Sequence, residues 1–239
     1  MRVYYLLIIS FLILYSCNSK KTELLWNQSF YTIGSQSSPR VADLNNDGIF
    51  DIVMGAGREE MAPIDQGVLA IDGKTGVLLW QNAAPAHVVG SATFQDLNQD
   101  GTKDVMIGGR GGFLTALDGK MGKEIWSYNY QYEDDPILKY ARFNFYKSVL
   151  VPDQNEDGLS DLLTVNGGNW EVASSETEGR LPGVLMLLDS KNGGIIAADT
   201  MPDGKESYLS PLCFSQKNSK ESFILFGTGG ETVDGNLYL

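Results

Sequence analysis

Three stretches of this chain repeat one nine-residue pattern between apolar runs: "DLNNDGIFD" from Asp43 to Asp51, "DLNQDGTKD" from Asp96 to Asp104, and "DQNEDGLSD" from Asp153 to Asp161. Each sets an oxygen-bearing side chain at every second position as far as the fifth, places glycine at the sixth, and closes on an acid at the ninth. Asn-Asp-Gly and Glu-Asp-Gly are turn chemistry, because glycine takes positive φ and short carboxylates belong in solvated loops. A turn, however, has no need of the closing acid. Oxygens at alternate positions suit a hard cation, which gathers about six to eight of them.

An EF-hand loop would carry a bidentate Glu at the twelfth position, where this chain has Met54, Ile107 and Thr164. The helix-loop-helix reading therefore fails in all three copies. The run after each loop ("DIVMGAG", "DVMIGG", "DLLTVNGG") is short, rich in β-branched residues and stopped by glycine, which predicts a buried strand. After each glycine stop comes a second strand pair: "VLAIDGKTGVLLW" ending at Trp80, "LTALDGKMGKEIW" ending at Trp126, and "LMLLDSKNGGIIA" ending at Ala197. Turns at Asp72, Asp118 and Asp189, with Gly76, Gly122 and Gly193, close these pairs into hairpins. Each unit is then four antiparallel strands.

A fourth unit starts at "SPLCFSQKNSKESFILFGTGGE", which lays on "SPRVADLNNDGIFDIVMGAGRE" without a gap. Its loop acids have become Ser215, Lys217, Ser219 and Phe223. The strands persist without the ligands, so the loops are expected to rigidify a sheet that can form without them. Four-stranded repeats of this kind predict an all-β fold, a β-propeller of antiparallel blades. The expected divisions are an outer strand over 24–28, blades over about 37–81, 90–127 and 146–198, and an incomplete blade over 207–239. The front part of a six- to eight-bladed ring is favoured over a four-bladed ring zipped from the terminal halves, because small rings are rare among the usual blade counts.

The loops followed by Gly-rich strand ends resemble the FG-GAP (VCBS-type) blades of integrin α-subunits, and "AIDGKTGVLLW" resembles the tryptophan-docking repeats of quinoprotein-like (PQQ-like) propellers. The first resemblance implies three calcium sites: Asp43, Asn45, Asp47 and Asp51 with the Ile49 carbonyl; Asp96, Asn98, Asp100 and Asp104 with that of Thr102; Asp153, Asn155, Asp157 and Asp161 with that of Leu159. The second implies that Trp80 and Trp126 are structural, and no PQQ is expected.

The amino terminus, "MRVYYLLIISFLILYSCNSKK", has one early Arg, an apolar run and a small residue before Cys17. It reads as an export signal over 1–16, and Leu14-Tyr15-Ser16-Cys17 resembles a bacterial lipobox, which implies a lipidated Cys17 ahead of a short linker over 17–23. The alternative is an uncleaved anchor or a plain signal with a chance cysteine. Either places the chain outside the cytoplasm, in the cell envelope. Cys213, without a partner, reads as a small buried hydrophobe. His87 is the single histidine, which leaves little for a zinc site or a His-dependent triad.

A net charge of −12 argues against nucleic acid. Strand parity places the loops: connections between first and second strands lie on the same rim as those between third and fourth, and the remaining connections lie on the opposite rim. The long insertions, 58–66, 127–147 and 169–182, are all opposite the acidic loops. There Tyr128, Tyr130, Tyr132, Tyr140 and Arg142, with Trp170 and Arg180, suit recognition of protein or polysaccharide. The competing reading is that Tyr128–Tyr132 extends a strand and that Phe143–Tyr146 packs beneath the next blade. A non-enzymatic binding or scaffold module is favoured over a calcium-dependent polysaccharide-degrading enzyme or a quinoprotein dehydrogenase, because no base or carboxylate pair is visible in the sequence.

Overall fold

The computed structural model describes residues 24–217, 221–230 and 233–239. The expected export signal over 1–16, Cys17 and Ser219 lie outside the described residues. The chain is a β-propeller array of antiparallel blades. Blade 1 is β1 (Arg40–Ala42), β2 (Asp51–Gly55), β3 (Ile64–Ile71) and β4 (Leu78–Ala84), paired in that order. Blade 2 repeats it as β5 (Thr93–Gln95), β6 (Asp104–Gly108), β7 (Leu114–Leu117) and β8 (Glu124–Ser127). Blade 3 has a two-residue β9 (Asn144–Phe145) on β11 beside the series β10 (Val149–Val151), β11 (Asp161–Gly167), β12 (Val184–Leu188) and β13 (Ile195–Thr200). Blade 4 is three-stranded: β14 (Leu212–Ser215), β15 (Ser222–Gly227) and β16 (Leu237–Tyr238).

Stacking of blades explains the continuous apolar runs. β6 and β11 are buried at every position, because each has a neighbouring blade on both faces and so cannot alternate apolar with polar. One core cluster joins Val53, Val68 and Ala70 of blade 1 to Val105, Ile107 and Leu117 of blade 2. A second joins Met106, Leu114 and Ala116 of blade 2 to Leu162, Met186 and Leu188 of blade 3. Between blades 3 and 4 lies a groove of about 720 Å³, lined in part by Leu163, Leu187, Ala197 and Cys213. Cys213 is thus half-buried rather than buried.

The blade joints are made by tryptophan. Trp26, Trp80 and Trp126 donate Nε1–H to the carbonyls of Gly73, Gly119 and Ser190 at 2.9, 2.7 and 2.8 Å. Each ring lies on the glycine of the next blade's hairpin turn. A Cβ on Gly76, Gly122 or Gly193 would meet the ring at 2.6 to 2.7 Å, and all three have positive φ, of 74°, 68° and 75°. These glycines are therefore required twice over, by the turn and by the ring. Burying an aromatic side chain contributes about 2–3 kcal/mol, so the joint outweighs any single surface contact.

Three further expectations differ from the observed structure. Residues 24–28 form no strand although Trp26 docks as Trp80 and Trp126 do; among the described residues no neighbouring strand pairs with them. The first insertion is shorter than 58–66, because β3 begins at Ile64 and runs through a register shift to Val68. β8 ends at Ser127, so Tyr128–Tyr132 does not extend the strand; beyond the one bond from Tyr128 N–H to the Leu114 carbonyl, the chain leaves the ladder.

Candidate functional site

The acidic loops share one backbone. Asn46, Gln99 and Glu156 sit at φ of 59°, 61° and 62°, and Gly48, Gly101 and Gly158 at 82°, 88° and 90°. The first acid accepts the glycine N–H in each copy, at 3.0 Å for Asp43 and Asp96 and 2.8 Å for Asp153. The third-position Asn accepts from the fifth residue, and the fifth-position acid accepts from the seventh, in all three.

The closing acid has a structural use that sequence spacing does not reveal. Asp51 accepts from Leu44 N–H at 2.8 Å and from Gly73 N–H at 3.0 Å; Asp104 accepts from Leu97 and Gly119 at the same distances. Asn45 and Asn98 also donate to Asp72 and Asp118 of the hairpins. The first and second loops are thereby tied to the turns on which Trp26 and Trp80 dock; in the third, Asp161 accepts from Gln154 N–H at 2.6 Å. Asp51, Asp104 and Asp161 are buried. Burial pushes the Asp104 and Asp161 carboxyls up, against the pull of their N–H donors.

Fit to a hard cation can be judged from the oxygens. Among the described residues no three His, Cys, Asp or Glu side chains form a ready metal cluster, since the loop carboxylates turn oxygens onto their own backbone. A carboxylate oxygen has two lone pairs, however, and one N–H fills one of them. In the third loop Asp157 Oδ2 is buried with no hydrogen-bond partner among the described residues, while Asp153, Asp189 and Asp157 crowd Asp161 with like charge. An unpaired, buried anionic oxygen is the chemistry a cation relieves. The Ile49, Thr102 and Leu159 carbonyl positions differ in cover: Ile49 is exposed, Leu159 half-buried and Thr102 buried.

On the opposite rim the insertions meet. Arg142 Nη2 pairs with Glu171 Oε2 at 2.7 Å, linking segment 127–147 to 169–182. Arg110 pairs with Glu60 at 2.9 Å, linking blade 2 to the first insertion. A cleft of about 620 Å³ opens here, walled by Pro85, Gly111–Phe113, Tyr128, Tyr130 and Arg142. Tyr128 is half packing: its ring meets Phe145 edge-on at 5.0 Å and its hydroxyl donates to the Ala141 carbonyl. Burial pushes that hydroxyl's pKa well up. Tyr130 donates to the Lys139 carbonyl and stands edge-on to Tyr132 at 6.3 Å.

The remaining expected residues separate by role. Trp170 is 47% exposed, beside the Arg142–Glu171 pair. Tyr140 packs half-buried on the core between blades 2 and 3, with Lys139 Nζ 5.0 Å from its ring centroid. Phe143 and Phe145 are buried, as the packing reading expects. Arg180 is committed inward: its side chain is 5% exposed, and its guanidinium holds both oxygens of Glu206 at 3.0 and 3.1 Å. Glu206, fully buried, escaped sequence reading because the pair spans a long separation with no spacing signal.

Residues 13–206 match the family described as outer membrane protein assembly factor BamB. The C-terminal domain of PilY1 from Pseudomonas aeruginosa aligns with a TM-score of 0.51 at 16% identity, over 82% of this chain and 44% of that one, and shares the fold. BamB from Moraxella catarrhalis aligns at 0.43 and 12% identity, over 74% of this chain and 40% of that one. FAM234B of Gallus gallus is 25% identical over 237 residues, 93% of this chain. The chain spans 35% of the length of that relative.

Proposed function

We propose, from the premise that this chain belongs to the family described as outer membrane protein assembly factor BamB, that its propeller is a binding module for protein or polysaccharide. The insertion-bearing rim is the contact surface and the acidic-loop rim holds the blades together. The cleft between Tyr128, Tyr130, Arg142 and the Gly111–Phe113 wall carries this reading. It combines aromatic area held by hydrogen bonds with a half-exposed guanidinium, the mixture that dominates recognition surfaces. Trp170 extends the same surface, and the buried Arg180–Glu206 pair positions the insertion that bears it.

Calcium in the three loops belongs to the same proposal, supported by the repeated spacing, by the resemblance to integrin α blades and by the unpaired Asp157 oxygen. When bound, the ion would supply positive charge to the loops, two of which already clamp a docking turn. Lipidation at Cys17 would tether the module to a membrane of the cell envelope; Cys17→Ser is then expected to release the protein from the membrane fraction, and retention of a processed, membrane-bound Ser variant would contradict the tether.

A glycan and peptide array probed with the recombinant chain, in calcium and in chelator, tests the binding role. Ligands retained by the wild type and lost by Tyr130→Ala or Arg142→Ala support it. An array on which the folded chain retains nothing, or on which both variants retain everything, contradicts it.

A further inference from the structure

Three insertions border the cleft of about 620 Å³. Segment 127–147 supplies Tyr128, Tyr130 and Arg142 to its wall. The first insertion adjoins the Gly111–Phe113 wall, where a Cβ on Gly111 would lie 3.4 Å from Met61 Cε, and Glu171 joins 169–182 to Arg142 at 2.7 Å. The charge on these insertions is one-sided. Arg142 and Arg180 are held by Glu171 and Glu206, and Lys139 lies over the Tyr140 ring. That leaves Arg58 and Lys147 against Glu59, Glu133, Asp134, Glu176 and Glu178, all exposed and without an ion pair among the described residues. Glu124, also exposed and unpaired by any cation among them, stands in the cleft wall itself, where its Oε1 accepts from Ser127 Oγ at 3.0 Å.

The rings favour the same sign of ligand. The Tyr128 and Tyr130 hydroxyls donate to the Ala141 and Lys139 carbonyls, so neither has a proton to give a sugar oxygen. What they present is ring surface and an accepting oxygen. Tyr132 completes a cluster of three, its ring centroid 6.4 Å from that of Tyr128 and 6.3 Å from that of Tyr130. The negative face of such a ring attracts an ammonium or guanidinium within about 6 Å. This segment already uses that contact, with Lys139 Nζ 5.0 Å from the Tyr140 centroid and Arg142 Cζ 5.1 Å from that of Phe143. An acidic polysaccharide would be repelled by the unpaired carboxylates, and a neutral one has no use for them.

We propose that the cleft receives a lysine or arginine side chain from a basic segment of a partner protein, with Tyr130 and Glu124 as its contacts and the acidic insertions as the surrounding field. The Arg142 charge is answered by Glu171, which leaves the cleft open to a second cation. This inference rests on the reading of the cleft as the binding surface and adds the chemistry of its occupant.

Fluorescence anisotropy on the folded chain in calcium tests it with three labelled probes: a peptide alternating lysine and serine, its glutamate counterpart, and a neutral glucan oligosaccharide. Saturable binding of the lysine peptide alone is expected, weakening as salt rises. Glu124→Gln and Tyr130→Ala are each expected to weaken it by about tenfold. Asp199→Asn, which removes the same charge from an exposed position of β13, is expected to bind as the wild type does, so the loss reads the cleft rather than net charge. Glu124→Gln alters an exposed side chain and keeps the test decisive where Tyr130→Ala folds poorly. Failure of the lysine peptide to bind the wild type, or equal losses in Glu124→Gln and Asp199→Asn, overturns the inference. Tyr130-dependent binding of the glutamate peptide or the glucan also overturns it while leaving the cleft as the binding surface, whereas a folded chain that retains no ligand on the array removes both.

Discussion

Asp104 holds the turn on which Trp80 docks: its Oδ1 accepts the Gly119 N–H at 3.0 Å, and the carbonyl of that glycine accepts Trp80 Nε1–H at 2.7 Å. The acidic loop of blade 2 therefore stabilises the joint with blade 1. Asp104→Ala leaves the Leu97 and Gly119 N–H groups buried and unpaired, which is expected to cost about 2–4 kcal/mol. Urea denaturation would give the loss, and tryptophan emission would shift to the red as the Trp80 joint loosens. A variant that keeps both its stability and its emission would show that the loop and joint are uncoupled.

The joint also separates two glycines of similar backbone. Gly101 and Gly122 have φ of 88° and 68°, but a Cβ meets nothing within 4 Å at Gly101 and the Trp80 ring at Gly122. Gly101→Ala is expected to cost about 1–2 kcal/mol in strain, and Gly122→Ala about 1–3 kcal/mol beyond that from overpacking. Equal losses on thermal denaturation would remove the case for the docked ring.

Much of this was legible because it is local and repeated. The glycine turns, the first and fifth loop acids and the rim on which each insertion falls follow from spacing and strand parity alone. The closing acids were legible as recurrent, but not for their use: Asp51 and Gly73, or Asp104 and Gly119, meet only when the third and fourth strands fold back. "DG" after each third strand was the available signal, kept at Asp72-Gly73 and Asp118-Gly119 and changed to Asp189-Ser190. Arg180 reads as a surface cation until Glu206 is brought beneath it. No local pattern announces such a pair.

His87 predicts a dependence on acid. Burial, then the nearby Arg110 charge, hold its pKa below 6.5, with Glu60 opposing. A folded pKa below the unfolded one means stability that is complete above 6.5 and lost as pH falls through the folded value. His87→Asn, the residue the next repeat uses at Asn144, removes that loss. Between about pH 7.5 and 5 the melting temperature of the wild type is expected to drop further than that of the variant. Parallel curves would place the acid sensitivity elsewhere.

Equilibrium dialysis is expected to give three calcium ions per chain, one for each repeated loop, and fewer after Asp96→Ala combined with Asp100→Ala. Chelation should lower the melting temperature and leave the β signal in circular dichroism, because blade 4 forms its ladders around Ser215 and Phe223 in place of loop acids. No bound calcium, or a chain unfolded by chelator, contradicts that assignment.

The two rims divide the labour between binding and stability, and one paired measurement tests that division: melting temperature and affinity for the strongest array ligand, in Trp170→Ala and Tyr130→Ala against Asp43→Ala and Asp153→Ala. The rim variants are expected to melt with the wild type and lose about 1–3 kcal/mol of binding each, while the loop variants lose melting temperature and bind normally per folded molecule. Loop variants that fold fully and no longer bind, beside rim variants that bind unchanged, would place the contact surface on the acidic loops and contradict the account.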